Sequence, residues 1–311
     1  MNPSVSIVCD VYNHGAFLRN ALDGFIMQKV NFPIEILIHD DASSDNSAAI
    51  IREYESRYPD IVRPIYETEN QYHKQNLWAD IQFPRAKGKY IAICEGDDYW
   101  TDPLKLQKQV DYMEAHSGCW MCCHAAYWER NGELAINGCQ YQDACDLTTD
   151  EVIRYGGLYL ATASLLFRKD VLNDTPAWMR MADIGDYPLQ ILCSLRGPVH
   201  FLPQPMCVYR YQRPGSWTYN DIQSGVNLDH LNNEVAWMNE LDKETAHNYS
   251  TAIFFHLKPF YRCLREAKEI SAFTYFRALR RASSNSLFTL ITEIFLARLR
   301  TFLPKTKNRT L

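Results

Sequence analysis

The sequence predicts an α/β fold, a mainly parallel sheet covered by helices, followed by a helical C-terminal region. Three observations carry this. Short apolar runs of strand length alternate with amphipathic segments of helical period from Val5 to Cys94. The 311 residues allow one large domain with an appendage or two modest ones, and at 47% hydrophobic they are ample for a core. From about Ser224 the chain reads only as helices, which places the domains at about 1–223 and 224–311.

"VSIVCDVYN" opens with a strand over residues 5–9, and "GAFLRNALDGFIMQ" then sets Phe17, Leu18, Ala21, Leu22, Phe25 and Ile26 on one helical face. "IEILIHDDASSDNS" supplies a second apolar strand ending in Asp40 and Asp41, and its "SSDNS" offers N-caps for a helix running to Tyr58. "IVRPIYE" and "YIAIC" are further strands, with a helix around residues 74–86 between them. "TDPLKLQKQVDYMEAH" is a helix with Asp102 as its N-cap and Pro103 in its first turn. The pattern then loosens into shorter strands, through "LATASLLFRKDVL" and "DIGDYPLQILCSLRG".

A net charge of −5 argues against a broad nucleic-acid-binding face. Ten unevenly spaced cysteines set among apolar residues do not read as a secreted disulfide framework, so a reducing, cytoplasmic compartment is expected. "MNPSVSIVCDVYN" lacks the basic and apolar regions of a signal peptide, and no apolar run reaches the roughly 18 residues of a membrane span. "CWMCCH" at 119–124 with Cys139 and Cys145 invites a zinc reading, but strand alternation points Cys122 and Cys123 to opposite faces. His39, inside a strand, reads as a satisfied interior histidine.

Open parallel sheets bind ligands at the carboxyl ends of their strands. Asp10, Tyr12, Asn13, Asp40, Asp41, Glu95, Asp97 and Asp98 all fall at such ends. Adjacent carboxylates repel, so a fold keeps them together when a cation or hydrogen-bond donors compensate. Hard oxygen ligands suit Mg²⁺ or Mn²⁺, held by one or two carboxylates with phosphate and water in the other positions. A diphosphate-bearing substrate follows from that chemistry. The bland alternative for "EGDD" is an acidic turn that caps the next helix, and acids at two other strand ends weigh against it.

"VSIVCDVYN", "ILIHDDASSDNS" and "GKYIAICEGDDYWTDPLKLQKQV", in that order and spacing, resemble the family 2 glycosyltransferases with their GT-A fold, over roughly residues 4–215. The resemblance implies an inverting transfer of a sugar from a nucleoside diphosphate donor, most often uridine-based, to a saccharide or lipid-linked saccharide hydroxyl in surface polysaccharide assembly. It places Asp98 as the metal ligand, Asp97 beside the ribose or metal, and Glu95 in the outer acidic position of a DxD-type motif. Asp41 then resembles the residue that bonds the uracil ring, and Tyr12 the aromatic that packs on it. Two departures stand out. Asp10 and Val11 replace the Pro-Thr of the family's Pro-Thr-Tyr-Asn, adding a carboxylate near Asn13 and the base or ribose. In "VYRYQRPGSW", Gln212 stands where many relatives carry a histidine, leaving Arg210 or Arg213 to share the phosphate charge or, alternatively, to form surface ion pairs.

Inversion needs one general base to take the acceptor proton. By resemblance this is Asp186 in "ADIGDYPLQILCSLRG", with Asp183 its rival; the alternative role for Asp186 is an N-cap. Trp100 would either stack on a sugar face at the acceptor side or sit in the core. Residues 261–311 hold eleven basic against three acidic residues, and "SLFTLITEIFLARLRTFLPKTK" suits either a helix in an anionic membrane interface or a packing helix with a basic tail. A metal-dependent nucleotidyltransferase also gathers carboxylates, but "DVYNHGAF" lacks its basic glycine-rich phosphate loop. A catalytically silent sugar-nucleotide-binding protein on the same fold is the non-enzyme alternative.

Overall fold

Val5–Val11 forms β1, buried along nearly its whole length, as expected of a strand covered on both faces. It is hydrogen-bonded in parallel to β2 (Ile34–Asp40) on one side and to β4 (Tyr90–Ile93) on the other, and β2 is parallel to β3 (Val62–Tyr66). The computed structural model describes residues 3–72, 74–183, 185–216, 218–219, 223, 227–271, 274 and 280–281. Within them the ten strands form one sheet, in the order β3-β2-β1-β4-β9-β6-β10-β5, with β7 and β8 paired to β6 and β10. The remaining strands are β5 (Tyr99–Trp100), β6 (Met121–Arg130), β7 (Glu133–Asn137), β8 (Cys145–Leu147), β9 (Leu166–Arg168) and β10 (Val199–Arg210). Beyond the parallel block β3-β2-β1-β4, β9 runs antiparallel to both its neighbours, while β6 and β10 are parallel to each other.

Helix α1 (Leu18–Ile26) buries Leu18, Ala21, Leu22 and Phe25 of the predicted apolar face, and α2 (Ser47–Arg57) and α4 (Lys105–Ala115) each bury one face as well. The segment around 74–86 is less regular than predicted. A π-helical stretch, Leu77–Gln82, runs directly into the short α3 (Phe83–Arg85). Asp102 is not the N-cap of α4, which is Leu104; its carboxylate instead accepts from the Leu104 N–H at 2.7 Å and from Lys108 Nζ at 2.6 Å. Further α-helices of this unit are α5 (Thr149–Tyr155), α6 (Ala177–Met181) and α7 (Asp186–Arg196). A reciprocal Thr148–Glu151 capping box starts α5.

Trp100 belongs to the core. Its indole N–H donates to the Ala163 carbonyl at 2.8 Å, its ring meets Phe25 edge-on at 4.8 Å, and the Lys105 ammonium lies 4.1 Å from the ring centroid. With 2% of its surface accessible, no face is left to stack on a sugar.

The chain divides into two compact units, residues 1–226 and 227–311. The second contains α8 (Leu228–Glu244) and α9 (Ser250–Glu266), joined by a 2.7 Å His256–Glu234 contact and a 2.6 Å bond from the Ser250 hydroxyl to Asp242. No helix of the described residues is long and apolar enough to cross a membrane. The basic stretch from Ser286 to Lys307 lies outside the described residues.

Candidate active site

The carboxyl ends of β1, β2 and β4 converge because the strands are parallel neighbours. Gly96 donates its N–H to the Asp10 carbonyl at 3.0 Å, and Asp41 donates to the Val11 carbonyl at 2.9 Å. Gly96 has no room for a side chain, since a Cβ there would stand 2.9 Å from both His14 Nδ1 and Val11 Cγ2. Asn13 adopts a left-handed backbone (φ 55°), and its side-chain oxygen accepts from the Ser44 and Asp45 N–H groups, stitching the loop after β1 to the loop after β2. It therefore holds loops together at the edge of the site.

Asp41 has a role the sequence does not announce. One carboxylate oxygen accepts from the Gln71 N–H at 2.6 Å and the other from the Tyr72 N–H at 3.1 Å, so this buried acid orders residues 71–72. Tyr12 and Tyr72 are each about half exposed, at 49% and 48%. Tyr72 is a second aromatic at this strand end, and no periodicity in its stretch marks it. His39 is interior, but it is not satisfied: neither ring nitrogen completes a hydrogen bond, and they face Asp10 and Glu67 at 3.8 and 3.5 Å.

The three acids after β4 differ in electrostatics. Burial would raise the Asp97 carboxyl, but His14 and Arg213 together hold it below its usual value; Arg213 donates from Nη2 and Nε to one Asp97 oxygen at 2.8 and 3.1 Å. Asp98 is 4% exposed, and its burial, then the Asp97 charge, push its carboxyl well above the usual range against a 2.9 Å bond from the Arg210 N–H. Glu95 reaches solvent by area, yet the surrounding walls desolvate it; that and then the charges of Asp97, Asp98, Asp10 and Asp186 push it well up as well. Arg210 donates to the Asp97 carbonyl, pairs with Glu129 at 3.3 Å and lies over Tyr99 and Phe17. Both arginines are thus largely buried clamps on the acidic turn, and neither is a surface ion pair.

Asp10 is raised to about 6 by burial, opposed by a 2.9 Å bond from Gln82 Nε2 and by His39. An acid whose folded value lies above its ordinary 3.8 makes the protein less stable as pH rises from about 4 to 6, because the native state then gives up a proton it holds more tightly than the unfolded chain. Asp10→Asn is therefore expected to stabilise at pH 7 relative to pH 4 by up to about 3 kcal/mol. Denaturant titrations of both proteins at the two pH values measure this, and equal pH dependence would disprove it.

Asp186 is the first residue of α7, with Gly185 as the N-cap. One carboxylate oxygen accepts from the Thr162 hydroxyl at 2.6 Å and the other from the Tyr187 N–H at 2.8 Å. A Cβ on Gly185 would stand 2.8 Å from the Trp78 ring, so Trp78 packs directly on the backbone that carries Asp186. Asp183 is exposed on the preceding loop. Thr162, Trp78, Gln82 and His14 belong to the site but escape sequence reasoning; each meets its partner only through the tertiary fold. Among the described residues no three His, Cys, Asp or Glu side chains group into a ready-made metal cage. A cavity of about 260 Å³, lined by Arg130, Asn131, Gln212, Pro214, Tyr219 and Gln223, includes none of the three acids or Asp186.

Comparison with known proteins gives the class. The profile described as Glycosyl transferase family 2 matches residues 6–173, more than half of the chain, and the protein belongs to that family. An uncharacterised protein of Mycobacterium tuberculosis is 36% identical over 217 residues, covering 68% of this chain and 60% of the relative. The crystal structure of S. aureus TarS 1–349 with UDP-GlcNAc superposes with a TM-score of 0.63 at 16% identity, covering 82% of this chain and 71% of that one. The mannosyltransferase PcManGT of Pyrobaculum calidifontis, in complex with GDP-Man and Mn²⁺, gives 0.51 at 14% identity, covering 98% and 89%. These superpositions establish the GT-A fold. The chain spans about 60% of the length of the M. tuberculosis relative.

Proposed function

We propose that this protein transfers a sugar, with inversion, from a nucleoside diphosphate donor, most often UDP-linked, to a saccharide hydroxyl in surface polysaccharide assembly. One observation carries the reading: an acidic turn gripped by Arg210 and Arg213 follows β4, and the turn leading into its partner strand β9 supplies Thr162, which orients Asp186 at a helix start. In this reading Asp186 accepts the acceptor's hydroxyl proton as that oxygen bonds to the anomeric carbon, and the bond to the diphosphate breaks with its electrons leaving on the phosphate oxygen. Tyr12 offers a half-exposed face for the base, Asp41 orders the backbone at Tyr72, and Arg213 adds positive charge beside Asp97.

The acids fit a divalent cation. Burial first, and then the Asp97 charge, drives Asp98 and Glu95 up, a cost that a bound cation would relieve, and the ligating atoms they offer are hard oxygens. Asp98 and Asp97 would hold Mn²⁺ or Mg²⁺, which when bound would neutralise the leaving diphosphate. The test is nucleoside diphosphate release from a panel of UDP-, GDP- and dTDP-sugars with Mn²⁺, Mg²⁺ or EDTA. Metal-dependent release from one donor is expected. Donor binding without release under any condition would favour a silent binding protein, and neither binding nor release would overturn the proposal.

A further inference from the structure

We propose that the 260 Å³ cavity is a subsite for a sugar residue bearing an anionic substituent, seated by Arg130, Gln212 and Tyr219. Its size falls just under the roughly 300–1,000 Å³ of pockets for drug-sized ligands, which suits a single sugar ring. Its chemistry is three side-chain amides, a phenol ring and one guanidinium, a set that bonds hydroxyls, covers a ring face and attracts one negative charge. Arg130 is the uncommitted cation. Arg210 and Arg213 grip Glu129 and Asp97, whereas the exposed Arg130 side chain makes no hydrogen bond or ion pair among the described residues.

Backbone conformation separates the two turns that line the cavity. Asn131 has φ 53°, but it precedes Gly132 in the tight turn between β6 and β7, where Asn-Gly is the ordinary solution. Gln212 has φ 56° with no such excuse, since glycine or asparagine would occupy that conformation at lower cost. Its Nε2 donates to the Tyr211 hydroxyl at 3.3 Å, and its amide oxygen has no partner among the described residues. A residue in a strained backbone conformation that also lines a cavity points to a ligand contact. The position also fits: Tyr211 donates its N–H to the Glu129 carbonyl, Arg210 pairs with the Glu129 carboxylate, and Arg213 holds Asp97. Arg130 and Gln212 are each one residue from these links to the acidic turn.

Assigning the bound sugar to the acceptor rests on the transferase reading; the binding does not. The test is ligand-observed NMR on the full chain with methyl glucuronide, glucose 6-phosphate, methyl glucoside and inorganic phosphate. At least one anionic sugar is expected to bind about tenfold more tightly than both methyl glucoside and inorganic phosphate, and the preferred one tells carboxylate from phosphate. Arg130→Gln should abolish that preference. Gln212→Gly should weaken binding while the melting temperature holds or rises, because glycine relieves the backbone; a merely structural Gln212 would leave binding unchanged. Equal binding of charged and neutral sugars, equal binding of phosphate alone, or indifference to Arg130→Gln overturns the subsite. Failure of the transferase reading shows separately, as a donor panel without turnover while the sugar still binds.

Discussion

Asp186→Asn is expected to lower sugar transfer by about 10²–10⁴-fold while donor binding is kept, the usual range for loss of a positioned general base. The amide preserves the shape of the helix start. Its oxygen can still accept from the Tyr187 N–H at 2.8 Å, and the Thr162 hydroxyl can rotate to accept from the new NH₂. Only the capacity to take a proton is gone. Single-turnover release of nucleoside diphosphate, paired with a donor-induced thermal shift, separates the two quantities. Transfer at the wild-type rate with the shift retained would remove Asp186 from the base role and bring Asp183 forward.

Asp98→Asn is expected to move activity and stability in opposite directions. Several kcal/mol of leaving-group stabilisation would vanish with the carboxylate, a loss on the order of 10³-fold or more in transfer. The fold should gain. An acid pushed well above its ordinary 3.8 by burial and by Asp97 makes the protein less stable as pH rises past that value, and asparagine removes this cost while its oxygen can still accept from the Arg210 N–H. A higher melting temperature at pH 7 with transfer abolished is the expected pair of results. A lower melting temperature would mean that the Asp98 charge supports the turn.

The parallel block was legible because its strands are buried on both faces. "VSIVC", "IEILIH" and "YIAIC" are mostly apolar, with Ser6, Glu35 and His39 as the polar members of the first two, and the clustered acids at their ends stand out against them. What was not legible depends on partners remote in the chain. Nothing beside Asp41 says that it will bind residues 71–72, some 30 positions away, and nothing beside Trp100 says that Ala163 will accept its indole proton. Local rules also erred by a residue or two, as at Asp102, since a carboxylate near a helix start can cap the turn before the helix as readily as the helix itself. The irregular Leu77–Gln82 segment escaped for another reason: its side chains Trp78 and Gln82 are fixed by contacts with Gly185 and Asp10 on other elements.

The placement of β9 sets a length. The strand is paired to β4 through Tyr90↔Arg168, Ile91↔Phe167 and Ala92↔Leu166, so the acids that end β4 and the Thr162 turn that leads into β9 hang from one short ladder. The span from the acidic turn to Thr162 is then set by backbone hydrogen bonds, and the Thr162 hydroxyl alone carries it on to the Asp186 carboxylate. A loop on either side that lengthened would leave the distance between the acidic turn and Thr162 unchanged, because three residue pairs of one ladder fix it.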